Sequence, residues 1–320
     1  MPYENKMTFI KFITIYLLAS FVILGEAKLF GWDYDHHHGN AENWVGRCKD
    51  GRRQSPIDIR TEYTNKILIA GHSMIFNRYD KQVEAQAENN GHTVKVTFKD
   101  GPDNEIWIKD GGLSLTKFIF SQAHFHWGKN DTQGSEHTID GQSFPMEMHL
   151  VHWNLDVGKT MLEAVQKDTG ISLEVLGVHF KIGKKNEKFK YLFDAMKQVA
   201  KHNATSSIKH GVRLNDLLPK NKDAFYRYKG SLTTPDCNEI VMWTIFKEKI
   251  EIDNEQMEIM RQTTYHHNGI DVPMFNNYRN VKIQSDREVL DVDTSHETTR
   301  PMNLNYTNGG NTTKVLLLIY

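Results

Sequence analysis

The chain has 320 residues, 39% of them hydrophobic, with 39 lysines and arginines against 40 aspartates and glutamates and a net charge of −1. A balance this even supplies no field for nucleic acid or for an anionic membrane surface, which leaves small molecules as the expected partners. The length permits a substantial buried core, in one large domain or two ordinary ones.

Residues 1–27 read as a secretory signal: Lys6 and Lys11 precede an apolar run from Phe12 to Leu24, and Gly25-Glu26-Ala27 ends in small residues suited to cleavage. At about 1.5 Å per residue, a helix over that run falls short of the roughly 30 Å hydrocarbon core, so a cleaved signal is expected over a membrane anchor. His36-His37-His38 is expected to be a solvated segment rather than a metal tract. Cys48 and Cys237, the only two cysteines, follow the signal and in an oxidising compartment are expected to form one disulfide.

Between Lys28 and about Asp293 there is no fixed-period repeat and no Pro- or Ser-rich linker, which favours a single domain over 28–293. Short apolar runs bounded by turn residues predict strands at His92–Phe98, Ala123–Trp127, Met146–Trp153, Val175–Ile182 and Ile240–Phe246. Helical periodicity is confined to Met161–Lys167, Phe189–Lys201 and Asn254–Thr263, so the predicted class is mainly β (α+β) with peripheral short helices. Residues 294–320 are polar and Thr/Asn-rich and are expected to be disordered. The apolar end Val315–Tyr320 is shorter than the roughly 10–20 residues of a lipid-anchor signal, so secretion is the reading and lipid anchoring to the outer cell surface the alternative. Asn130, Asn203, Asn305 and Asn311 open Asn-x-Ser/Thr sequons that would suit an extracellular glycoprotein.

The chemistry resides in the histidines. His124 and His126 alternate around Phe125 on a predicted strand, so both imidazoles point to one face and can reach one cation. A second strand begins at Pro145-Met146-Glu147-Met148-His149, where Glu147 and His149 share a face. His152 and His137 compete with His149 for a third ligand position, and spacing leaves that choice open. Three neutral imidazoles suit Zn²⁺ with a fourth position free for water. Gln122 and Glu147 are placed to accept the outer ring N–H of such ligands.

Three blocks, Ser121-Gln122-Ala123-His124-Phe125-His126-Trp127-Gly128, Gly134-Ser135-Glu136-His137-Thr138 and Glu147-Met148-His149-Leu150-Val151-His152-Trp153, resemble the zinc-site signature of the animal-type, extracellular α-carbonic anhydrases. Gly230-Ser231-Leu232-Thr233-Thr234-Pro235 resembles their threonine loop, Gln54-Ser55-Pro56-Ile57-Asp58-Ile59 their early strand and Asn90-Gly91-His92 their proton-shuttle segment. The resemblance runs in order from about Gly31 to Asp291.

It implies a ten-stranded, mostly antiparallel twisted sheet with zinc at the base of a conical cavity, ligated by His124, His126 and His149, and it leaves His137 and His152 as core histidines. It implies reversible hydration of carbon dioxide to bicarbonate and a proton by zinc-bound hydroxide. Zinc lowers the pKa of its water to about 7, carbonic anhydrase being the standard example. Thr233 would orient that hydroxide and donate to Glu136, and His92 would carry the proton to solvent. Val151, Val175, Leu232, Thr234, Val241 and Trp243 match the substrate pocket, although singly each apolar one reads as core packing. Cys48 and Cys237 match the paired cysteines of extracellular relatives. Anions and sulfonamides are the inhibitors implied. Lys95 departs from a position that is neutral in many relatives; its charge is expected either to depress the proton affinity of His92 and attract anions or to belong simply to a solvated strand lysine. The competing reading is a catalytically silent binding ectodomain on the same fold.

Overall fold

In the computed structural model, residues 32–34, 41–68, 73–99, 105–109, 116–295 and 314–315 are described. The signal segment, His36-His37-His38, Asn305, Asn311 and most of the polar tail therefore lie outside the described residues. The chain divides into two compact units, Met1–Trp44 and Val45–Tyr320. Within the first, the Trp32 ring meets Tyr34 and Trp44 edge-on, each at 5.3 Å. The second unit begins at Val45 and carries everything described below.

In chain order its strands are β1 (Asp58–Ile59), β2 (Asn65–Leu68), β3 (Ile75–Asn77), β4 (Val83–Asn89), β5 (Val94–Phe98), β6 (Trp107–Lys109), β7 (Lys117–Trp127), β8 (Thr138–Ile139) and β9 (Met146–Asn154). They continue as β10 (Leu173–Ile182), β11 (Thr205–Val212), β12 (Ala224–Gly230), β13 (Val241–Phe246), β14 (Ile250–Ile252), β15 (Thr264–His267), β16 (Ile270–Pro273), β17 (Leu290–Asp293) and β18 (Lys314–Val315). Helices α1 (Arg47–Asp50), α2 (Met161–Lys167), α3 (Lys190–Gln198) and α4 (Asn254–Arg261) are peripheral and short. Local chemistry sets their starts: the Thr160 side chain accepts from Glu163 N ahead of α2, and Asp253 with Gln256 forms a capping box ahead of α4.

One open sheet joins fourteen strands in the order β11-β4-β5-β7-β9-β10-β13-β12-β17-β2-β18, with β3, β6 and β14 alongside. Pairing is mostly antiparallel, and β10 runs parallel to β13 and β14. The excess over the ten strands expected comes from pieces such as β3, β6 and β14, each of 3 residues, too short to display a period of two.

Strand β7 shows how the sheet places its functional face. Ser121 is a bulge between the pairs Phe120↔His152 and Gln122↔Val151. Before it the even-numbered Phe118 and Phe120 enter the main core, and after it the odd-numbered Ala123, Phe125 and Trp127 do. The extra residue thus keeps the apolar face continuous and turns Gln122, His124 and His126 to the opposite face. The break in alternation also explains why composition placed the start of this strand at Ala123, six residues late.

Cys48 and Cys237 form the expected disulfide, with Cα atoms 5.0 Å apart across a sequence separation of 189. Removing both by alanine substitution is expected to lower the unfolding free energy by about 2–5 kcal/mol. The readout is the denaturation midpoint without reductant, and an unchanged midpoint would contradict the staple.

Candidate metal centre

Register decides which histidines meet. His124 lies directly opposite His149, and His126 opposite Glu147, across the β7/β9 ladder. By alternation these four side chains occupy one face, whereas His152, three residues beyond His149, points to the other. There the His152 ring meets Phe120 at 5.4 Å and Nδ1 lies 3.2 Å from the Glu174 carbonyl, and burial lowers its pKa to about 3. His152 is therefore a core histidine.

The inner nitrogens converge: His126 Nε2 is 3.1 Å from His149 Nδ1, which is 3.3 Å from His124 Nε2. Each outer nitrogen meets an acceptor. His124 Nδ1 donates to Gln122 Oε1 at 3.0 Å, His149 Nε2 to Glu147 Oε1 at 2.7 Å and His126 Nδ1 to the Asn277 carbonyl at 2.7 Å. A ring nitrogen facing an acceptor carries the proton, so the inner nitrogens present bare lone pairs to one another. Burial also lowers the proton affinity of His124 and His149, keeping both neutral.

A fourth negative end faces the same point. Glu136 is 1% exposed, and its Oε1 accepts from Arg279 N at 2.8 Å. Its buried Oε2 has no hydrogen-bond partner among the described residues and lies 3.5 Å from His126 Nε2 and 3.9 Å from His149 Nδ1. Three imidazole lone pairs and an orphaned carboxylate oxygen repel one another unless a cation stands between them, so the donor set fits Zn²⁺. Among the described residues no hydrogen bond links Thr233 to Glu136; Thr233 itself is 5% exposed.

His137, Glu147 and His149 also cluster, but as a closed polar network. Glu147 Oε1 is 2.7 Å from His137 Nδ1, while its Oε2 accepts from His137 N at 2.8 Å and lies 3.3 Å from His179 Nε2. Burial alone would raise the Glu147 pKa, yet the neighbouring His137 and His179 outweigh it and hold the carboxyl well below its usual range. His137 Nε2 continues to the Tyr228 hydroxyl at 2.6 Å, and Tyr228 to Ser55 Oγ at 2.8 Å. Ser55 in turn grips the threonine loop: its Oγ accepts from Ser231 N at 3.0 Å, and its N donates to Ser231 Oγ at 2.8 Å.

The pocket residues Val151, Val175, Val241 and Trp243 share one apolar cluster, against which Leu232 packs; Thr234 is half-buried. Val175 pairs with both Val151 and Trp243, and Val151 lies two residues from His149, so this cluster occupies the imidazole face. The Trp243 ring is 4.7 Å from that of His149.

His92 sits half-buried in the turn before β5, its N bonded to Asn90 Oδ1 at 3.0 Å. Burial first, then the neighbouring His202, lowers its pKa below that of a free histidine. Lys95, expected to exert that effect, is held by Glu88 at 2.8 Å and stands opposite His124 in the sheet.

Asn277 and Arg279 escaped the sequence reading. Asn277 Nδ2 donates to the carbonyls of His92 at 3.0 Å and Phe125 at 3.1 Å, and its Oδ1 accepts from Trp127 N at 2.8 Å, so one amide locks the shuttle turn to the ligand strand. Arg279, 0% exposed, donates to Gln54 Oε1, Ser55 O and Cys48 O while its own N supports Glu136. No motif marks either residue.

Replacing Glu147 with Gln is expected to weaken zinc binding about 10–100-fold, as loss of such a supporting hydrogen bond does elsewhere. A competitive chelator titration measures it, and unaltered affinity would show that Glu147 does not support the site.

The sequence profile of the eukaryotic-type carbonic anhydrases matches residues 39–293. Putative carbonic anhydrase 5 of Caenorhabditis elegans is 34% identical over 85% of this chain and 86% of its own length. Carbonic anhydrase 4 of Rattus norvegicus is 34% identical over 79% of this chain and 80% of its own, and that of Mus musculus 32% identical over 86% and 88%. A profile match of this extent, on a twisted sheet that brings the three signature histidines together, makes the chain a member of the eukaryotic-type carbonic anhydrase family.

Proposed function

We propose that this protein catalyses the reversible hydration of carbon dioxide to bicarbonate and a proton. The observation that carries the reading is the convergence of His124 Nε2, His126 Nε2 and His149 Nδ1, each fixed as a bare lone pair by the acceptor behind it. Zinc held by three neutral imidazoles supplies hydroxide near neutral pH, with carbonic anhydrase the standard example.

The chain's own residues supply the rest. Val151, Val175, Leu232, Val241 and Trp243 offer an uncharged substrate an apolar wall and exclude water beside the metal ligands. Thr233 and Glu136 are the pair assigned to orient the nucleophile, the threonine by its hydroxyl and the glutamate by the oxygen left free of other partners. His92 accepts the product proton and passes it to solvent. The competing reading is a zinc-binding but catalytically silent ectodomain on the same fold.

A stopped-flow hydration assay separates the two readings. Turnover by the zinc-loaded protein is expected, with a loss of roughly 10²–10³-fold in Thr233→Ala, the scale of removing one positioned hydrogen-bonding group. Full zinc occupancy without turnover would leave only the silent ectodomain.

Because His92 must be neutral to accept a proton, and its pKa is lowered, the rate limited by proton transfer should rise with pH through a midpoint below that of a free histidine. His92→Ala should remove that limb, and added imidazole should restore the rate. A midpoint at or above about 6.5, or a rate unaffected by the substitution, would show that the proton leaves by another group.

Secretion belongs to the same proposal, supported by the signal-like N-terminal sequence and the disulfide. No helix among the described residues is long and apolar enough to cross a membrane. Asn130 and Asn203 are exposed, as glycan acceptors must be.

A further inference from the structure

The turn that carries His92 is sewn to its surroundings by a buried amide. Asn89, 0% exposed, donates from its N to the Ala204 carbonyl at 3.0 Å, and its own carbonyl accepts from Asn203 N at 2.8 Å. Its Nδ2 donates to the carbonyls of Ala200 at 3.3 Å and Thr264 at 2.9 Å, and its Oδ1 accepts from Gly91 N at 3.0 Å. The shuttle turn, the loop between α3 and β11 and the start of β15 are thereby held as one unit.

That unit brings a second histidine to the turn. His202, half-buried in the loop, lies so close to Gly91 that a Cβ there would stand 2.6 Å from its Nε2 and 3.0 Å from its Cε1. Only a residue without a side chain admits the ring. On the other edge of the ring, Nδ1 accepts from His266 N at 3.2 Å. A backbone N–H can only donate, so the proton of a neutral His202 belongs on Nε2, the edge turned to the shuttle turn. A further proton would enter at Nδ1 only by displacing the His266 amide, which suits His202 to prepare the exit rather than to carry the proton onward.

The positive end of an N–H bond favours the neutral form of a histidine beside it. The other titratable groups on the elements around the turn are engaged elsewhere. Lys95 of β5 is paired with Glu88 of β4 at 2.8 Å, and His124 of β7 has its Nδ1 on Gln122 at 3.0 Å. In the β15/β16 hairpin, His266 Nδ1 lies 3.2 Å from Asp271 Oδ1, and His267 Nε2 lies 2.9 Å from Asn268 Nδ2.

From this geometry we infer that His202 is a positioning residue for proton exit: locked over Gly91 by the His266 amide, its N–H edge favours the neutral, proton-accepting form of His92. The inference rests on the reading of His92 as the shuttle. Burial first and His202 second lower the proton affinity of His92, the direction this arrangement requires.

The test follows the His92 ring by nuclear magnetic resonance titration of the full-length, zinc-loaded protein, with the pH profile of hydration measured in parallel. His202→Phe keeps a ring over Gly91 but removes both nitrogens, whereas His202→Ala removes the ring. In each, the His92 midpoint is expected to rise toward about 6.5, and the rising limb of the rate to move to higher pH with it. His202→Lys, which puts a cation in the same place, should move both the opposite way. Circular dichroism checks folding, and any variant that folds suffices. An unchanged midpoint in a folded variant, or a midpoint moved by His202→Ala but not by His202→Phe, would overturn the role. A rate indifferent to His92→Ala would overturn the shuttle reading and this role with it, whereas a rate that needs His92 and a midpoint that ignores His202 would overturn this role alone.

Discussion

The register of β7 against β9 is the constraint on which the metal centre depends. It sets His124 opposite His149 and His126 opposite Glu147, so that three lone pairs and their main carboxylate support arise from two adjacent strands. A slip of one residue in either strand would send its contribution to the opposite face and leave the other strand's imidazoles alone. The bulge at Ser121 protects that register from the apolar pattern upstream, because Phe118 and Phe120 can enter the core without dragging the histidines after them.

Around that register the polar groups are arranged as a buried network, which in a low-dielectric interior is stable only if nearly every member is satisfied. Glu147 meets that demand through His137, His149 and His179, and the path through Tyr228 and Ser55 reaches the threonine loop. Arg279 joins Glu136 to Gln54, Ser55 and Cys48, its backbone N–H reaching the metal centre and its guanidinium the early strand and the disulfide segment. The Glu136 oxygen left unmatched is consequently informative: it lies where the convergent nitrogens also need positive charge.

Much of this was legible in the sequence, and for identifiable reasons. Long buried runs such as Met146–Asn154 and Leu173–Ile182 announce strands by composition, and α2 begins and ends where periodicity placed it. The start of β7 was hidden by its bulge, and the short edge strands by their brevity. Spacing alone left His152 beside His149 as a candidate, although alternation along one unbroken strand puts the two on opposite faces. Asn277 contributes a backbone carbonyl to a histidine 151 residues away, and a carbonyl carries no residue-specific signal. The Glu88 partner of Lys95 belongs to a cross-strand pairing that only the fold reveals.

His124, His126 and His149 are placed to hold one zinc through two Nε2 atoms and one Nδ1 atom. A crystal structure of the zinc-loaded protein, with anomalous diffraction recorded on both sides of the zinc absorption edge, tests it most directly. One full-occupancy zinc is expected within about 2.0–2.1 Å of His124 Nε2, His126 Nε2 and His149 Nδ1. Zinc seated instead among His137, Glu147 and His149, or no ordered zinc at stoichiometric loading, would contradict it.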